Sequence, residues 1–185
     1  MVRWLCRPLS RPAKPSVFNP RPGAAGVLKN LRQSGKTIER KPKLPEIEQE
    51  ILNLAPGLQL VSVATVTPKG APWVRFVAGR MLPDLSVWFS TYLTSRKIAH
   101  IRANPTVHAT LGAQDFKAEK WLQVEGHAEI STEEQDRKDF WFDGLRAYIS
   151  GVDDPNYAVV KIIPDRIEIG SMTAPPEVWV SRASA

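Results

Sequence analysis

GAPWVRFVAGRMLPDLSVWFSTYLTSRK, residues 70–97, is the stretch from which the rest of the chain is read. Gly70-Ala71-Pro72 leaves a turn. Trp73 to Leu82 is rich in aromatic and β-branched residues, which suit a pleated, half-buried surface. Leu82-Pro83-Asp84 breaks the run, and Leu85 to Thr91 begins another, so the spacing predicts an antiparallel pair. Ile98, Ala99, Ile101 and Arg102 then follow at helical spacing. Thr94 or Ser95 is a suitable N-cap for that helix. Its first turn, where the backbone dipole favours acids, instead carries Arg96 and Lys97. Two readings follow from the residues alone. One is an anion cradle of cap hydroxyls, free N–H groups and cations, within reach of Arg75 and Arg80 on the preceding strand. The other is a solvated basic helix end.

Outward from this stretch, Pro45 to Ala55 reads as a helix with Glu46 and Glu48 at its positive end and a stripe of Ile47, Ile51, Leu52 and Leu54. Leu58 to Thr67 reads as a strand ending at the turn Pro68-Lys69-Gly70. Val107 to Leu111 and Trp121 to Ile130 read as strands joined by the polar segment Gln114 to Lys120. Ser131 and Glu134 have capping-box spacing for a helix running towards Trp141 or Phe142. The aromatics Phe140, Trp141 and Phe142 are expected in the core or at a dimer interface. A short helix over Leu145 to Ile149 is expected next. The turn at Asp153 to Asn156 leads to a final hairpin, Tyr157 to Ile163 and Arg166 to Gly170, around Pro164-Asp165. Short strands with inserted helices predict a mainly β, closed antiparallel barrel.

The order of these pieces resembles the pyridoxamine 5′-phosphate oxidase-like split-barrel family. Gly70, Pro72, Arg75 and Arg80, then Ser90-Thr91 and Ser95-Arg96-Lys97, stand as in its flavin-binding core. Asn104-Pro105 ends the helix as in that family, and Trp121 to Glu129 resembles its Val-x-Val-x-Gly-x-Ala-Glu strand. The likeness spans roughly Ile47 to Ser171 and is nearest to the general stress protein branch. It implies a six- or seven-stranded split β-barrel with peripheral helices, FMN as cofactor and a homodimer with flavin sites at the subunit interface. It also implies that Arg75, Phe76, Val77 and Arg80 lie along one edge of FMN, with Ser90 and Thr91 on the next strand. Ser95, Arg96 and Lys97 would hold its phosphate, and Trp121 would join the cofactor set. Arg75 and Arg80 have opposite strand parity, so both face one cofactor only if the strand bends or bulges, or if part of the contact is backbone.

The family's true oxidases have Gln where this chain has Trp121 and a C-terminal Arg-x-His element that this chain lacks. Oxidation of pyridoxamine phosphate is therefore not expected. Three functions stand: an FMN-dependent oxidoreductase of unnamed substrate using NAD(P)H or another small redox partner, an F420-dependent reductase, and a non-enzymatic flavin-binding stress-response protein. No nucleophile elbow, zinc-binding helix, P-loop or dinucleotide fingerprint occurs. His100, His108 and His127 lack metal-ligand spacing, and the acids Asp153 and Asp154 read as a solvated turn.

The net charge of +6 is unevenly spread. Residues 1–43 hold eleven Lys or Arg, one acid (Glu39) and six prolines, and carry +10; residues 44–185, the barrel domain, carry −4. Nucleic acid is therefore not an expected partner of the body. The first 43 residues read as a disordered basic extension, with at most a short helix over Ala24 to Arg32. Other readings are an organellar presequence, a site for an acidic partner, or a start codon assigned upstream of the true one. The lone Cys6 excludes an internal disulfide and suits a cytoplasmic protein, and no apolar run is long enough for a membrane span.

Overall fold

The computed structural model describes residues 45–182. The basic extension and the helix considered within it lie outside the described residues. Helix α1 (Glu46–Leu54) opens with Glu46 and Glu48 in its first turn and buries Ile51 completely. Strands β1 (Gln59–Val66) and β2 (Pro72–Met81) form a hairpin, β3 (Val87–Tyr92) follows, and α2 (Arg96–Ala103) leads to β4 (Thr106–Leu111) and β5 (Lys120–Ser131). Helix α3 (Glu134–Phe140) and a 3₁₀ turn (Asp143–Ala147) precede β6 (Tyr157–Ser171) and β7 (Glu177–Val180).

All pairings are antiparallel, in the order β3-β2-β1-β4-β5-β6-β7, and β6 also pairs with β3. Six strands thus close a barrel, and β7 is an extra strand on β6. The strands alternate as a closed sheet demands. Val61 and Val63, Val77 and Met81, Val87 and Phe89, Val107, Ala109 and Leu111, Leu122 and Val124, and Val160 and Ile162 are buried in one core. Ile51 of α1 with Ile98 and Ile101 of α2 complete it. Each buried Val, Leu, Ile, Met or Phe among them contributes about 1.5–3 kcal/mol by leaving water. A second apolar cluster lies outside the barrel, where Phe140, Leu145 and Ile149 pack on Trp88, Tyr157 and Val159.

Two expectations need correction. The final hairpin is one fifteen-residue strand: Tyr157–Ile162 pair with β3, Arg166–Ile169 pair with β7, and the other edge follows β5 from Val159 to Ser171 with one interruption. What reads as a turn at Pro164-Asp165 is a bulge, where the register with β5 shifts between Glu125 and Gly126. Proline is tolerated there because the bulge interrupts the ladder. The bulge also explains Gly126, since a Cβ on that residue would stand 2.1 Å from the Ile163 carbonyl oxygen. The second correction concerns the capping box. Ser131 pairs with Val159 as the last residue of β5, and α3 begins only at Glu134. The Ser131 hydroxyl instead accepts from the Glu133 N–H and bonds the Asp136 carboxylate. The turn at residues 153–156 is held as expected by Asp154, whose carboxylate accepts from Ser150 and Asn156. No helix of the described residues is long and apolar enough to cross a membrane.

Candidate functional site

The split in the barrel makes the site. β2 pairs with β1 in unbroken register from Pro72 to Gly79, with no register shift. It pairs with β3 over only three residues, Gly79–Met81 against Phe89–Val87. β3 continues to Tyr92 along β6 instead. Beyond the short ladder, residues 76–78 of β2 and 90–92 of β3 line a common cleft of about 480 Å³. Phe142, Gly144, Leu145, Tyr148 and Ile149, from the segment after α3, wall its other side, and Lys97 stands at one end. A neighbouring hollow of about 210 Å³ is lined by Trp73, Arg75, Ser95, Arg96 and Lys97. Lys97 belongs to both, so a cationic corner adjoins a largely apolar cleft.

The corner is built on polar side chains from three elements. Arg75 has the inward parity of Val77 and donates to the Val63 carbonyl at 3.0 Å and to Thr65 Oγ1 at 2.7 Å. Thr65 Oγ1 in turn lies 2.9 Å from Nδ1 of the buried His100. Lys97 Nζ donates to Thr91 Oγ1 at 3.0 Å, and the Thr91 and Ser95 hydroxyls share a hydrogen bond of 2.9 Å. Ser95 is the N-cap residue of α2, but its hydroxyl is committed to Thr91 and leaves the first-turn N–H groups without a side-chain cap. The Arg96 guanidinium lies 5.0 Å over the Trp73 ring, a cation–π contact.

None of the ion pairs among the described residues involves Arg75, Arg96 or Lys97. The three cations therefore act on each other. Burial, then repulsion from Arg75, pushes the Lys97 ammonium below the usual lysine value. Burial, then Arg96, does the same to Arg75. Arg75 and Lys97, partly desolvated, beside the exposed Arg96 and with no ion-paired carboxylate among the described residues, are a donor set that an oxyanion satisfies.

The sequence-predicted residues divide in two. Arg75, Phe76, Val77, Ser90, Thr91, Ser95, Arg96 and Lys97 come together around the two hollows. Arg80 and Trp121 do not. Arg80 lies on the outer face of β2, where it donates to the Asp139 carbonyl of α3 and lies 5.0 Å over the Phe140 ring. The parity conflict between Arg75 and Arg80 is thus resolved by separation, because β2 stays regular. Trp121 sits on β5, opposite Gly170, with its indole where a Cβ of Gly170 would be. In the closed order of strands β5 is across the barrel from β2. Sequence reasoning missed Thr65, His100 and the cleft wall. Only tertiary structure brings the wall to β2 and β3, and Thr65 reads as an ordinary strand residue. Among the described residues no cluster of acids, His or Cys could hold a metal ion.

Residues 47–169 match the family described as pyridoxamine 5′-phosphate oxidase. General stress protein 26 of Bacillus subtilis (strain 168) is 29% identical over 126 residues, covering 67% of this chain and 88% of that protein. The crystal structure of General Stress Protein 26 from Bacillus anthracis str. Sterne superposes with a TM-score of 0.65 at 27% identity, covering 74% of this chain and all of that one. A heme binding protein from Mycobacterium smegmatis has a TM-score of 0.60 at 16% identity, over 77% of this chain and 61% of that one, a likeness of fold alone. By the match over most of its barrel, the chain belongs to the pyridoxamine 5′-phosphate oxidase family, nearest to the general stress protein branch.

Proposed function

We propose that the protein binds FMN in the split between β2 and β3 and serves as an FMN-dependent oxidoreductase with a small-molecule substrate. The observation that carries this is the joining, through Lys97, of three cations without acidic partners among the described residues to a cleft of about 480 Å³. That volume lies in the range of cofactor sites. A phosphate monoester satisfies Arg75, Arg96, Lys97 and the uncapped turn of α2. The apolar cleft suits a planar ring system, with Ser90 and Thr91 of β3 available to its polar edge. When bound, the flavin supplies hydride and electron transfer. This chain's residues hold the phosphate, orient the ring between β2 and the 142–149 wall, and keep water from its buried side.

The site is completed, in this proposal, by a second copy of the chain. Leu60, Val74 and Phe76 are 60%, 61% and 73% exposed on the outer face of β1 and β2 beside the cleft. Trp121, across the barrel from its own cleft, can reach a flavin only in the cleft of another subunit.

Mass spectrometry and absorption spectra of what co-purifies test the cofactor. Bound FMN is expected. Bound F420 would assign the reductase reading, and bound FMN without turnover of NAD(P)H and an electron acceptor would assign a flavin-binding module. A wild-type protein that takes up neither cofactor would overturn the proposal.

A further inference from the structure

Arg80 is the strand cation that the cofactor cleft does not use. It stands on β2 where the ladder with β3 still holds, opposite Trp88 and just before the two strands part. Its guanidinium donates to the backbone carbonyl of Asp139 and covers the Phe140 ring at 5.0 Å. Both contacts fall in the last turn of α3, where carbonyls lack intrahelical partners and a cation is favoured by the dipole. The chain leaves that turn through Trp141 directly into Phe142, the first residue of the cleft wall. The far end of the wall has a tether of its own, the Tyr92 hydroxyl donating to the Tyr148 carbonyl. Among the described residues Arg80 Nε is buried with no hydrogen-bond partner, so the side chain occupies this place at a desolvation cost that its two contacts offset.

We propose that Arg80 is a positioning residue: it anchors the C-terminal turn of α3 to β2 and thereby sets where the 142–149 wall stands over the cleft, without touching the ligand. The effect on FMN rests on the reading above; the anchoring of the wall does not. Leu145 and Ile149 hold the middle of the wall on Trp88, Tyr157 and Val159, while Tyr148 is 75% exposed. Freeing the Arg80 tether lets the Phe142 end of the wall move away from β2.

The test uses Arg80→Met, which keeps the apolar stem and removes every donor, beside Arg80→Lys, which keeps the charge. Amide hydrogen exchange is measured first on the full-length protein without flavin. Residues 141–149 are expected to exchange about tenfold faster or more in Arg80→Met, with β1 and β5 unchanged and Arg80→Lys intermediate. In FMN titrations the Arg80→Met variant is expected to show faster dissociation with an unchanged association rate. The midpoint potential of any bound flavin is expected to match wild type, because no cation has left its ring. Unchanged exchange over 141–149 in Arg80→Met would overturn the proposal. So would a shifted flavin potential in that variant, which would place Arg80 at the ring. If wild type takes up no FMN, the cofactor reading fails while the exchange experiment still decides the anchor. If Arg80→Met does not fold, Arg80→Gln, which shortens the side chain and removes its charge, is read by the same exchange, and unchanged exchange there overturns the proposal.

Discussion

At the scale of single residues, Lys97 joins the cationic corner to the cleft. It sits between the two hollows, donates to Thr91, and is held below its ordinary pKa by burial and by Arg75. An amine whose folded pKa is lowered opposes folding while charged, and stability returns as pH rises towards the ordinary lysine value. An anion in the corner reverses the shift. FMN binding just below that value is therefore expected to take up protons, seen in calorimetry as a heat that varies with the buffer. Lys97→Ala is expected to lose roughly 1.5–3 kcal/mol of FMN binding, about tenfold to a hundredfold in affinity, and to abolish the proton uptake. Tyr157 behaves in the opposite sense. Burial raises its phenol to about 12, and its hydroxyl donates to the Arg137 carbonyl. Stability present below pH 10 should fall by about 2 kcal/mol as pH approaches 12, since the unfolded chain ionises first. Tyr157→Phe should flatten that fall; an unchanged alkaline slope in urea titrations would show that other groups cause it.

At the scale of elements, the bulge between β5 and β6 falls where β6 passes from β3 to β7. Gly126→Ala would drive a Cβ into the Ile163 carbonyl, a backbone atom that cannot turn aside. A loss of about 3 kcal/mol is expected, a fall in melting temperature on the order of 10 °C. A calorimetric scan within a degree or two of wild type would mean that the strand yields there. This same bulge was only half legible in the sequence. Pro164-Asp165 has the composition of a turn, and nothing local distinguishes a turn from a bulge that only a partner strand creates. β7 was missed for a related reason: four residues after Pro175-Pro176 become a strand by pairing with β6. Strands β1 to β5 and helix α2 were legible because alternation and capping residues are local signals. The cationic end of α2 was legible as an electrostatic conflict. The cleft wall was not, since Phe140, Trp141 and Phe142 look alike in sequence yet take three places: in the outer core, against Tyr157 at 5.7 Å, and facing the cleft.

At the scale of the whole molecule, the exposed apolar face of Leu60, Val74 and Phe76 and the remote Trp121 lead to one expectation. Light scattering should give a dimer, and Phe76→Glu should give monomers with weakened FMN binding; a wild-type monomer that holds flavin tightly would exclude a composite site. Efficient oxidation of pyridoxamine 5′-phosphate is not expected, because among the described residues Lys97 is the only charged side chain lining the cleft and it is shared with the cofactor's corner. A second phosphate would find no preorganised cation, a deficit on the order of 10³-fold in rate. Pyridoxal 5′-phosphate formation above about 10⁴ M⁻¹s⁻¹ would contradict this. The central claim, that the corner of Arg75, Arg96 and Lys97 reads a phosphate, is tested most directly by titrating FMN and riboflavin into wild type and into Arg96→Ala/Lys97→Ala. Wild type is expected to prefer FMN by about a hundredfold or more, the worth of two charge-assisted contacts, and the double variant to lose most of that preference while keeping its affinity for riboflavin. An equal preference for FMN in both proteins would contradict it.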